Sequence, residues 1–460
     1  MNTKTFTLKF GRYPSIFAIL ATLATICPAE KYNLFGKPGD GYYLETLIGT
    51  PPQSFNVLVD TGSTNFAIAA APFHSVDSYF NQSLSSSFIT QHVDVSVMYT
   101  QGYWRGELGN DIIEFPSLGI PGIRTAVAAI QTSHNFFLNG SMWQGILGLA
   151  YPMIAKPDDK VVSWLDSFAA LNNFNVAFLL ELCGSKDGED THAGKFVMLH
   201  TDDTPNPPVL RSPIIREWFY EILLTKIEVG GEAVKLPCHE LNNRRTIVDS
   251  GTTNLRLPEK VFNSVLELLH KQVAQNLTEE FWTQQKVTCL HEDSDPHHLD
   301  LRHFFPNIRL SLMQTEHSYF TLELPPKSYI RRVEGPDHSF CYKFGIQPSD
   351  SGSVLGTVVM QGYKVVFNRT DKTVGFMTSL CGPTVSLYGP TDVKEDLMKC
   401  AHQPISPVLG ALSIVGYVVS VLLGVVAVVV VYFLIKWIWE SYLQRPDWSS
   451  LSQSNLLSQE

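Results

Sequence analysis

Two carboxylates occupy nearly identical settings in this chain. Asp60 lies in Val-Leu-Val-Asp-Thr-Gly-Ser-Thr-Asn, and Asp249 lies in Thr-Ile-Val-Asp-Ser-Gly-Thr-Thr-Asn, 189 residues later. Each follows a β-branched apolar run that predicts a strand, and each precedes a glycine where the chain can turn sharply. Two carboxyl groups a few ångströms apart share one proton, because both cannot readily ionise together. Such a pair can supply the base and the acid for hydrolysis by an activated water.

The repetition favours a duplicated structure over chance. A single Asp-Thr/Ser-Gly-Ser/Thr sequence could occur in any strand that ends in a turn. The alternative interpretation is therefore that the two segments are unrelated strand-turn units. However, the segment Trp143–Ala150 has an echo at Ser353–Gly356, in a matching place after each aspartate. Matching segments in the same order are typical of an internal repeat. We therefore expect two related lobes, with Asp60 and Asp249 facing each other across a cleft.

These segments resemble the pepsin-like aspartic proteases over about residues 41–400. The resemblance implies a mainly β, bilobal fold with the active-site cleft between two related lobes. It implies that Asp60 and Asp249 are the catalytic residues of an aspartic-type endopeptidase, which cleaves peptide bonds by a two-aspartate, activated-water mechanism. It also implies no metal, no other cofactor and no Ser or Cys nucleophile. The chain contains neither a His-Glu-x-x-His nor a Gly-x-Ser-x-Gly motif that would suggest one.

Four hydroxyl side chains flank the two aspartates. By the resemblance, Ser63 and Thr252, each three residues after an aspartate, would hydrogen-bond the outer carboxylate oxygens. Thr61 and Ser250 would bridge the two loops beneath. Serine at position 250 departs from the pepsin pattern, but it matches the membrane-anchored β-secretase (memapsin) branch of the family.

An aromatic-rich hairpin with a glycine-bearing tip is predicted at residues 97–109. By the resemblance it is the flap that closes over the substrate, with Trp104 as the hydrogen-bond partner of Tyr99; an ordinary amphipathic hairpin is the alternative. Arg256 matches an arginine that reaches the substrate cleft in the β-secretase branch and would favour polar or acidic substrate side chains; a surface charge is the alternative. The flap and substrate-binding residues expected on this basis are Tyr99, Thr100, Gln101, Gly102, Trp104 and Arg256.

The composition supports a large folded core. Of the 460 residues, 44% are hydrophobic and 17% are charged, and a net charge of −10 without a long basic run argues against nucleic acid as a partner. Short β-prone runs broken by Gly, Pro and Ser fill residues 61–180, which favours an antiparallel β lobe over a doubly wound α/β sheet. The clearest helical spacing lies at 258–274, and a last hairpin is expected at 358–367 and 374–380.

Cysteine usage separates the branches of the family. Cys27 falls in a predicted leader, and the other six of the seven cysteines suggest three disulfides, for which sequence alone allows fifteen pairings. Pepsin and cathepsin D types carry a disulfide soon after the first aspartate, whereas this chain has no cysteine between Cys27 and Cys183. The pattern resembles that of the β-secretases, which implies the pairs Cys183–Cys381, Cys238–Cys400 and Cys289–Cys341.

Both ends of the chain carry membrane-related signals. Residues 1–29 have a basic start and a short apolar core, which predicts a secretory signal cleaved after Ala29; an uncleaved anchor is the alternative. Residues 408–435 carry no charge, which predicts a transmembrane helix. Together they predict a single-pass type I membrane protein of the secretory or endosomal pathway or the cell surface. Its catalytic lobes would be lumenal or extracellular.

Smaller motifs add further expectations. Four Asn-x-Ser/Thr sequons in a secreted chain are candidate glycosylation sites. They begin at Asn81, Asn139, Asn276 and Asn368. Gly416, Ser420 and Gly424 have the spacing of a helix-packing face, which would allow a weak homodimer through the span. Leu456-Leu457 resembles a dileucine sorting signal, and a disordered stub is the alternative.

We therefore expect five segments in the chain. They are a signal peptide (1–29), an N-terminal protease lobe (30–210), a C-terminal protease lobe (211–403), a transmembrane helix (408–435) and a cytoplasmic tail (436–460). The expected function is cleavage of the ectodomains of other membrane proteins, chiefly type I proteins, because tethering enzyme and substrate to one lipid bilayer raises their effective concentration. The alternatives are a cathepsin D-like general proteinase with a membrane anchor and a catalytically inactive bilobal peptide-binding receptor.

Overall fold

The computed structural model describes residues 32–37, 39, 41–99, 102–173, 175–185, 191–199, 209–275, 277–290, 300–334, 340–402 and 407–443. The predicted signal peptide, the flap residues Thr100 and Gln101, the sequon at Asn276 and residues 444–460 lie outside the described residues. The chain divides after His402 into two compact units.

The first unit consists mainly of β-strands, which confirms the mainly β fold class. Its first eleven described strands are β1 (Leu34–Lys37), β2 (Gly41–Ile48), β3 (Gln53–Asp60), β4 (Phe66–Ala69), β5 (Ile89–Met98), β6 (Tyr103–Phe115), β7 (Ile120–His134), β8 (Gly145–Gly148), β9 (Ala177–Ser185), β10 (His192–Leu199) and β11 (Leu210–Pro213). The following eight are β12 (Arg216–Glu217), β13 (Tyr220–Glu221), β14 (Leu224–Val229), β15 (Glu232–Ala233), β16 (Thr246–Val248), β17 (Leu255–Pro258), β18 (Thr288–Leu290) and β19 (Ile308–Thr315). The last eight are β20 (Ser318–Leu324), β21 (Ile330–Glu334), β22 (Phe340–Phe344), β23 (Ile346–Ser349), β24 (Ser353–Leu355), β25 (Tyr363–Asn368), β26 (Thr373–Thr378) and β27 (Ser386–Asp392).

The helices of this unit are short, apart from α3. They are α1 (Trp164–Leu171), α2 (Cys238–Leu241), α3 (Glu259–Gln272), α4 (Glu279–Thr283), α5 (Pro326–Tyr329) and α6 (Thr357–Met360). α3 confirms the helix predicted at 258–274 and buries Val261, Val265 and Leu269 on one face. Single 3₁₀ turns lie at Gln82–Leu84, Pro116–Leu118, Pro152–Ile154, Leu301–Phe304 and Leu397–Cys400.

The largest sheet contains strands from both predicted lobes. Its order is β11-β26-β25-β9-β10-β1-β2-β3-β8-β4-β7-β6-β5. β9 and β25 pair antiparallel and place Phe178 opposite Phe367. The two rings stack with 5.0 Å between their centroids, and the Tyr220 ring meets Phe367 edge-on at 4.7 Å. The hydrophobic core is therefore continuous across the predicted boundary near residue 210, and that boundary stays a prediction.

Three smaller sheets complete the described part of this unit. A six-stranded sheet has the order β12-β13-β16-β24-β17-β23, a five-stranded sheet has the order β15-β14-β19-β20-β27, and a three-stranded sheet has the order β18-β22-β21. The six-stranded sheet carries the second aspartate, which follows β16 directly.

The prediction of a hairpin at 358–367 and 374–380 is partly wrong. Residues 357–360 form α6, so the strand expected from residue 358 begins only at Tyr363. The carbonyl of Gly356 accepts hydrogen bonds from the N–H groups of Val359 and Met360, which closes a helical turn. All four residues of this turn are buried, and a short buried apolar run cannot be assigned to a strand or a helix by its spacing. The hairpin itself is confirmed, because β25 and β26 pair antiparallel, and the strand β27 that follows pairs with the distant strand β20.

The second unit is described as one helix, α7 (Pro407–Leu443). Its segment Gly416–Ser441 is long and apolar enough to cross a membrane, by length and composition. The helix continues beyond the predicted span, so residues 436–443 of the expected polar tail are helical. Two tryptophans and an isoleucine extend the apolar run there. Lys436 and Glu440 form an i, i+4 ion pair of 3.8 Å between Nζ and Oε1, which favours helix continuation.

Three disulfides join described cysteines of the first unit. They are Cys183–Cys381, Cys238–Cys400 and Cys289–Cys341, the pairs that the resemblance implies. Among the sequon asparagines, Asn81 and Asn139 lie outside the strands and helices, and Asn368 ends β25. Their glycosylation stays a prediction.

The buried side chain of Asn242 joins three segments near the end of this unit. Its Oδ1 accepts hydrogen bonds from the Leu224 N–H at 2.9 Å and the Thr246 hydroxyl at 2.6 Å. Its Nδ2 donates to the carbonyls of Leu224 at 2.7 Å, Cys238 at 3.1 Å and Cys400 at 2.9 Å. Both Oδ1 and Nδ2 of Asn242 therefore have their full set of hydrogen bonds, which connect the Cys238–Cys400 disulfide to the strand β14.

We predict that Asn242→Ala lowers the free energy of unfolding by roughly 2–4 kcal/mol, because it leaves several buried main-chain groups without partners. Urea denaturation followed by circular dichroism measures this loss. Asn243→Ala is the matched control, since Asn243 is exposed, and it should change stability by less than about 0.5 kcal/mol. Equal stability of the two variants would contradict the role given to Asn242.

Candidate active site

The two aspartate loops share one local topology. β3 ends at Asp60, β8 runs parallel to β3, and β4 returns antiparallel on the other side of β8. In the second half, β16 leads into Asp249, β24 runs parallel to β16, and β17 returns antiparallel to β24. Each aspartate is also anchored through its main chain, since Leu149 N–H donates to the carbonyl of Asp60 at 2.8 Å and Asp249 N–H donates to the carbonyl of Leu355 at 3.1 Å.

Reciprocal hydrogen bonds join the two loops. The Thr61 hydroxyl donates to the carbonyl of Val248 at 3.0 Å, and the Ser250 hydroxyl donates to the carbonyl of Val59 at 2.8 Å. Each hydroxyl oxygen in turn accepts from the opposite main chain, Thr61 Oγ1 from Ser250 N–H at 2.9 Å and Ser250 Oγ from Thr61 N–H at 3.1 Å. All four bonds are buried, so they fix the separation of segments that are 189 residues apart.

Two local donors orient the carboxyl group of Asp60. The N–H of Gly62 donates to Oδ1 at 2.8 Å, and the hydroxyl of Ser63 donates to Oδ2. The short distance in sequence explains this arrangement, because the turn after the strand folds both donors back onto the side chain.

Asp249 has the equivalent pair of donors. The N–H of Gly251 donates to its Oδ1 at 2.9 Å, and the hydroxyl of Thr252 donates to its Oδ2 at 2.7 Å. Both aspartates are nearly excluded from water, with Asp60 5% exposed and Asp249 8% exposed. The two carboxyl groups lie close enough for the negative charge of Asp249 to raise the pKa of Asp60.

Glycine is required in both loops, because each loop passes close to the carboxyl group of the opposite aspartate. A Cβ atom at Gly62 would lie 2.6 Å from Cγ of Asp249, and a Cβ atom at Gly251 would lie 2.6 Å from Cγ of Asp60. Carbon atoms without a covalent bond do not approach so closely. Any side chain at either glycine would therefore push the opposite carboxyl group out of place.

Burial and the neighbouring charge change the acidity of Asp60. Burial raises the pKa of Asp60 most, and the negative charge of Asp249 raises it further. The hydrogen bonds from Ser63 and Gly62 act in the opposite direction, but the pKa of Asp60 stays well above its ordinary value. The pair therefore holds a proton at pH values where an exposed aspartate has lost it.

Tyr99 places an aromatic ring and a hydroxyl above the first loop. The indole N–H of Trp104 donates to Tyr99 Oη at 3.4 Å. Burial, followed by the charge of Asp60, raises the pKa of Tyr99, so the phenol keeps its proton. The Tyr99 ring stacks on Phe136 with 5.3 Å between centroids. Sequence reasoning missed Phe136, because no motif marks it.

The hairpin that carries Tyr99 is formed by β5 and β6, as predicted. Tyr99 N–H donates to the carbonyl of Gly102 at 3.0 Å, which closes the turn. Gly102 has a φ angle of 84°, in the left-handed region that favours glycine. Its role as a flap stays a prediction.

The negative charge of Asp249 acts on two arginines, Arg256 and Arg245. Burial lowers the pKa of Arg256, while the charges of Asp249 and Asp350 oppose this effect, and no described residue accepts a hydrogen bond from its buried Nε. Burial also lowers the pKa of Arg245, which Asp249 again opposes, and its guanidinium lies 4.4 Å from the ring centroid of Phe219. Sequence reasoning found Arg256 and missed Arg245, which no motif distinguishes from a surface charge.

Two buried aspartate loops that are hydrogen-bonded to each other define a class of hydrolase that uses paired carboxylates. Residues 41–379 match the family described as eukaryotic aspartyl protease, and the chain belongs to that family. It is an aspartic-type endopeptidase.

The curated relatives refine this assignment. A beta-secretase from Strongylocentrotus purpuratus is 36% identical over 441 residues, which cover 88% of this chain and 80% of that protein. A gastricsin from Homo sapiens is 27% identical over 352 residues, which cover 74% of this chain and 81% of that protein. A gastricsin from Callithrix jacchus is 27% identical over 374 residues, which cover 76% of this chain and 87% of that protein. The chain is thus a beta-secretase-like member of the family.

We predict that the stability difference between wild type and Asp60→Asn depends on pH. Because the pKa of Asp60 is raised on folding, the folded protein binds more protons than the unfolded chain from about pH 4, the ordinary aspartate pKa, up to the raised value. This contribution to stability is present at low pH and is lost as pH rises through that window. The variant cannot titrate there, so its stability relative to wild type should increase with pH.

Thermal unfolding at several pH values measures this trend, with Asp94→Asn as the control. Asp94 is an exposed aspartate on β5, and its replacement should leave the pH dependence of wild type unchanged. A constant difference between Asp60→Asn and wild type at all pH values would refute the raised pKa.

Proposed function

We propose that Asp60 and Asp249 form the catalytic dyad of this endopeptidase. The observation that carries the proposal is the close pair of buried carboxyl groups, each oriented by a glycine N–H and a hydroxyl. In this arrangement the pair carries one proton and titrates as a unit, so neither aspartate is permanently the base.

The reaction follows from that shared proton. A water held between the two carboxyl groups gives a proton to the ionised member as its oxygen attacks the scissile carbonyl carbon. The protonated member donates a hydrogen bond to the carbonyl oxygen, where negative charge develops. A proton is then delivered to the leaving nitrogen, the C–N bond breaks, and the pair returns to its starting state.

We assign the supporting roles on the same geometry. Thr61 and Ser250 hold the two loops at a fixed separation, and Ser63 and Thr252 fix the carboxyl orientations. The hairpin that carries Tyr99 is the flap, which closes over bound peptide and excludes water from the reacting groups. The peptide binds between an N-terminal lobe, 30–210, and a C-terminal lobe, 211–403.

We also propose that the substrates are ectodomains of membrane proteins, chiefly type I proteins. The proposal is supported by the apolar helix at the end of the chain and by the similarity to a beta-secretase. In a type I orientation, the protease unit is lumenal or extracellular, in the secretory or endosomal pathway or at the cell surface. The shared bilayer then concentrates enzyme and substrate stalk in one plane.

We predict that the full chain in lipid nanodiscs cleaves members of a peptide library at mildly acidic pH. Asp60→Asn and Asp249→Asn should each lower kcat/KM by at least about 100-fold, because either change removes one of the two carboxyl groups that together supply the base and the acid. Mass spectrometry of the products measures cleavage, and Asp392→Asn, which changes an exposed aspartate on β27, should cleave like wild type. Cleavage that survives either dyad substitution would disprove the mechanism. Peptides that bind without being cut by wild type would instead favour a receptor.

We predict that Arg256 favours acidic substrate side chains. Arg256→Gln should lower the ratio of kcat/KM for acidic over neutral members of the library by roughly tenfold, because a charge-assisted hydrogen bond contributes about 1.5 kcal/mol or more. The exposed residue Arg211 supplies the control substitution Arg211→Gln, which changes the net charge equally. If both variants shift the ratio alike, Arg256 acts only through overall charge.

A further inference from the structure

A cleft of about 530 Å³ lies apart from the aspartate pair. It is lined by the segment after β8, by α1, by β12 and by the turn after β25. Its polar lining residues are Tyr151, Asp159, Asp166, Glu217 and Arg369. Apolar side chains, including Ala169 and Val176, cover the rest of its wall. Its volume lies within the range of clefts that hold small ligands or single side chains of a partner.

Two hydrogen-bond donors in this cleft have no partner among the described residues. Tyr151 is 4% exposed, and its buried hydroxyl makes no hydrogen bond. Burial raises the pKa of Tyr151 to about 12, so the hydroxyl keeps its proton at physiological pH. Arg369 lies over the Tyr151 ring at 4.5 Å, and its buried Nη1 is also without a partner. Buried polar groups are rarely left unpaired, so the two donors indicate an acceptor that the chain itself does not provide.

The charges around the cleft leave one carboxylate uncompensated. Asp166 is neutralised by Arg369, whose Nη2 donates to Oδ1 at 2.9 Å. Glu217 is paired with Lys372 at 2.6 Å. Asp159 is exposed and has neither a hydrogen bond nor an ion pair with a described residue. A cation that enters the cleft would therefore find Asp159 available.

Tyr151 is held in position without a ligand. The hydroxyl of Thr64 donates to its carbonyl at 2.7 Å, and its N–H donates to the carbonyl of Trp218 at 3.3 Å. The preceding residue, Ala150, donates its N–H to the carbonyl of Ser63 at 2.8 Å. The cleft is therefore preorganised, because its central ring is fixed by the same main chain that supports the first aspartate loop.

The geometry points to a second binding site here, which takes a basic residue of a polypeptide. The main-chain carbonyl of that residue accepts hydrogen bonds from Tyr151 and Arg369, its methylene stem lies along the apolar wall, and its cationic end lies beside Asp159. No bond is made or broken in this site, and it does not depend on the catalytic roles of Asp60 and Asp249.

The test uses the full chain in lipid nanodiscs and N-acetyl-arginine amide as the probe, with binding followed by ligand-observed NMR. N-acetyl-citrulline amide is the uncharged probe of the same shape. Asp159→Asn removes the free carboxylate, and Tyr151→Phe removes the free hydroxyl but keeps the ring that packs on Arg369. Asp158→Asn is the matched control, because the neighbouring aspartate is exposed but does not line the cleft.

We expect saturable binding of the arginine probe to wild type and Asp158→Asn. Binding should weaken about tenfold in Asp159→Asn and at least about threefold in Tyr151→Phe, and the citrulline probe should bind about tenfold more weakly to wild type. Unchanged thermal unfolding of each variant shows that its fold is intact. The site is refuted if no saturable binding occurs up to about 20 mM probe. It is equally refuted if Asp159→Asn and Tyr151→Phe bind like wild type, or if Asp158→Asn loses as much affinity as Asp159→Asn.

Discussion

Two buried carboxyl groups cannot both carry a negative charge at low cost, and the structure around Asp60 and Asp249 is built to keep them in contact. Each is almost fully excluded from water, which strengthens their mutual repulsion when both are ionised. One retained proton removes that repulsion, and burial and the charge of Asp249 accordingly raise the pKa of Asp60. The same proton is the one that the proposed chemistry uses, so the electrostatic constraint and the function have one origin.

The surrounding residues can be understood as the means of sustaining this contact. Glycine at positions 62 and 251 allows each loop to approach the opposite carboxyl group, and the hydroxyls of Thr61 and Ser250 bond the loops across the gap. Beneath them, the continuous core from β9 to β25 prevents the two halves from moving apart. The cleft beside Tyr151 rests on the same main chain, which explains how a peripheral site can have fixed geometry without a ligand.

The sequence pattern predicted side-chain contacts correctly where the contacting residues lie close together in the sequence. The strand before each aspartate, the glycine after it and the hydroxyl three residues on all fall within one turn, and the structure places them as that spacing suggests. The apolar run at 357–360 was misassigned, because spacing alone cannot separate a short buried strand from a buried helical turn. Phe136, Arg245 and the Tyr151 cleft escaped sequence reasoning, since each takes its significance from residues on distant strands.

The sequence by itself determined the two aspartates, the chemistry open to them, the mainly β fold and the apolar helix at the end of the chain. These depend on residue type and on contacts within a few positions. The tertiary structure alone decided that two loops 189 residues apart are hydrogen-bonded to each other, that burial raises the pKa of Asp60, and that Tyr99 stacks on Phe136. The reason is physical: burial and the separation of distant segments are set by the packing of the whole core, which no short stretch of sequence contains.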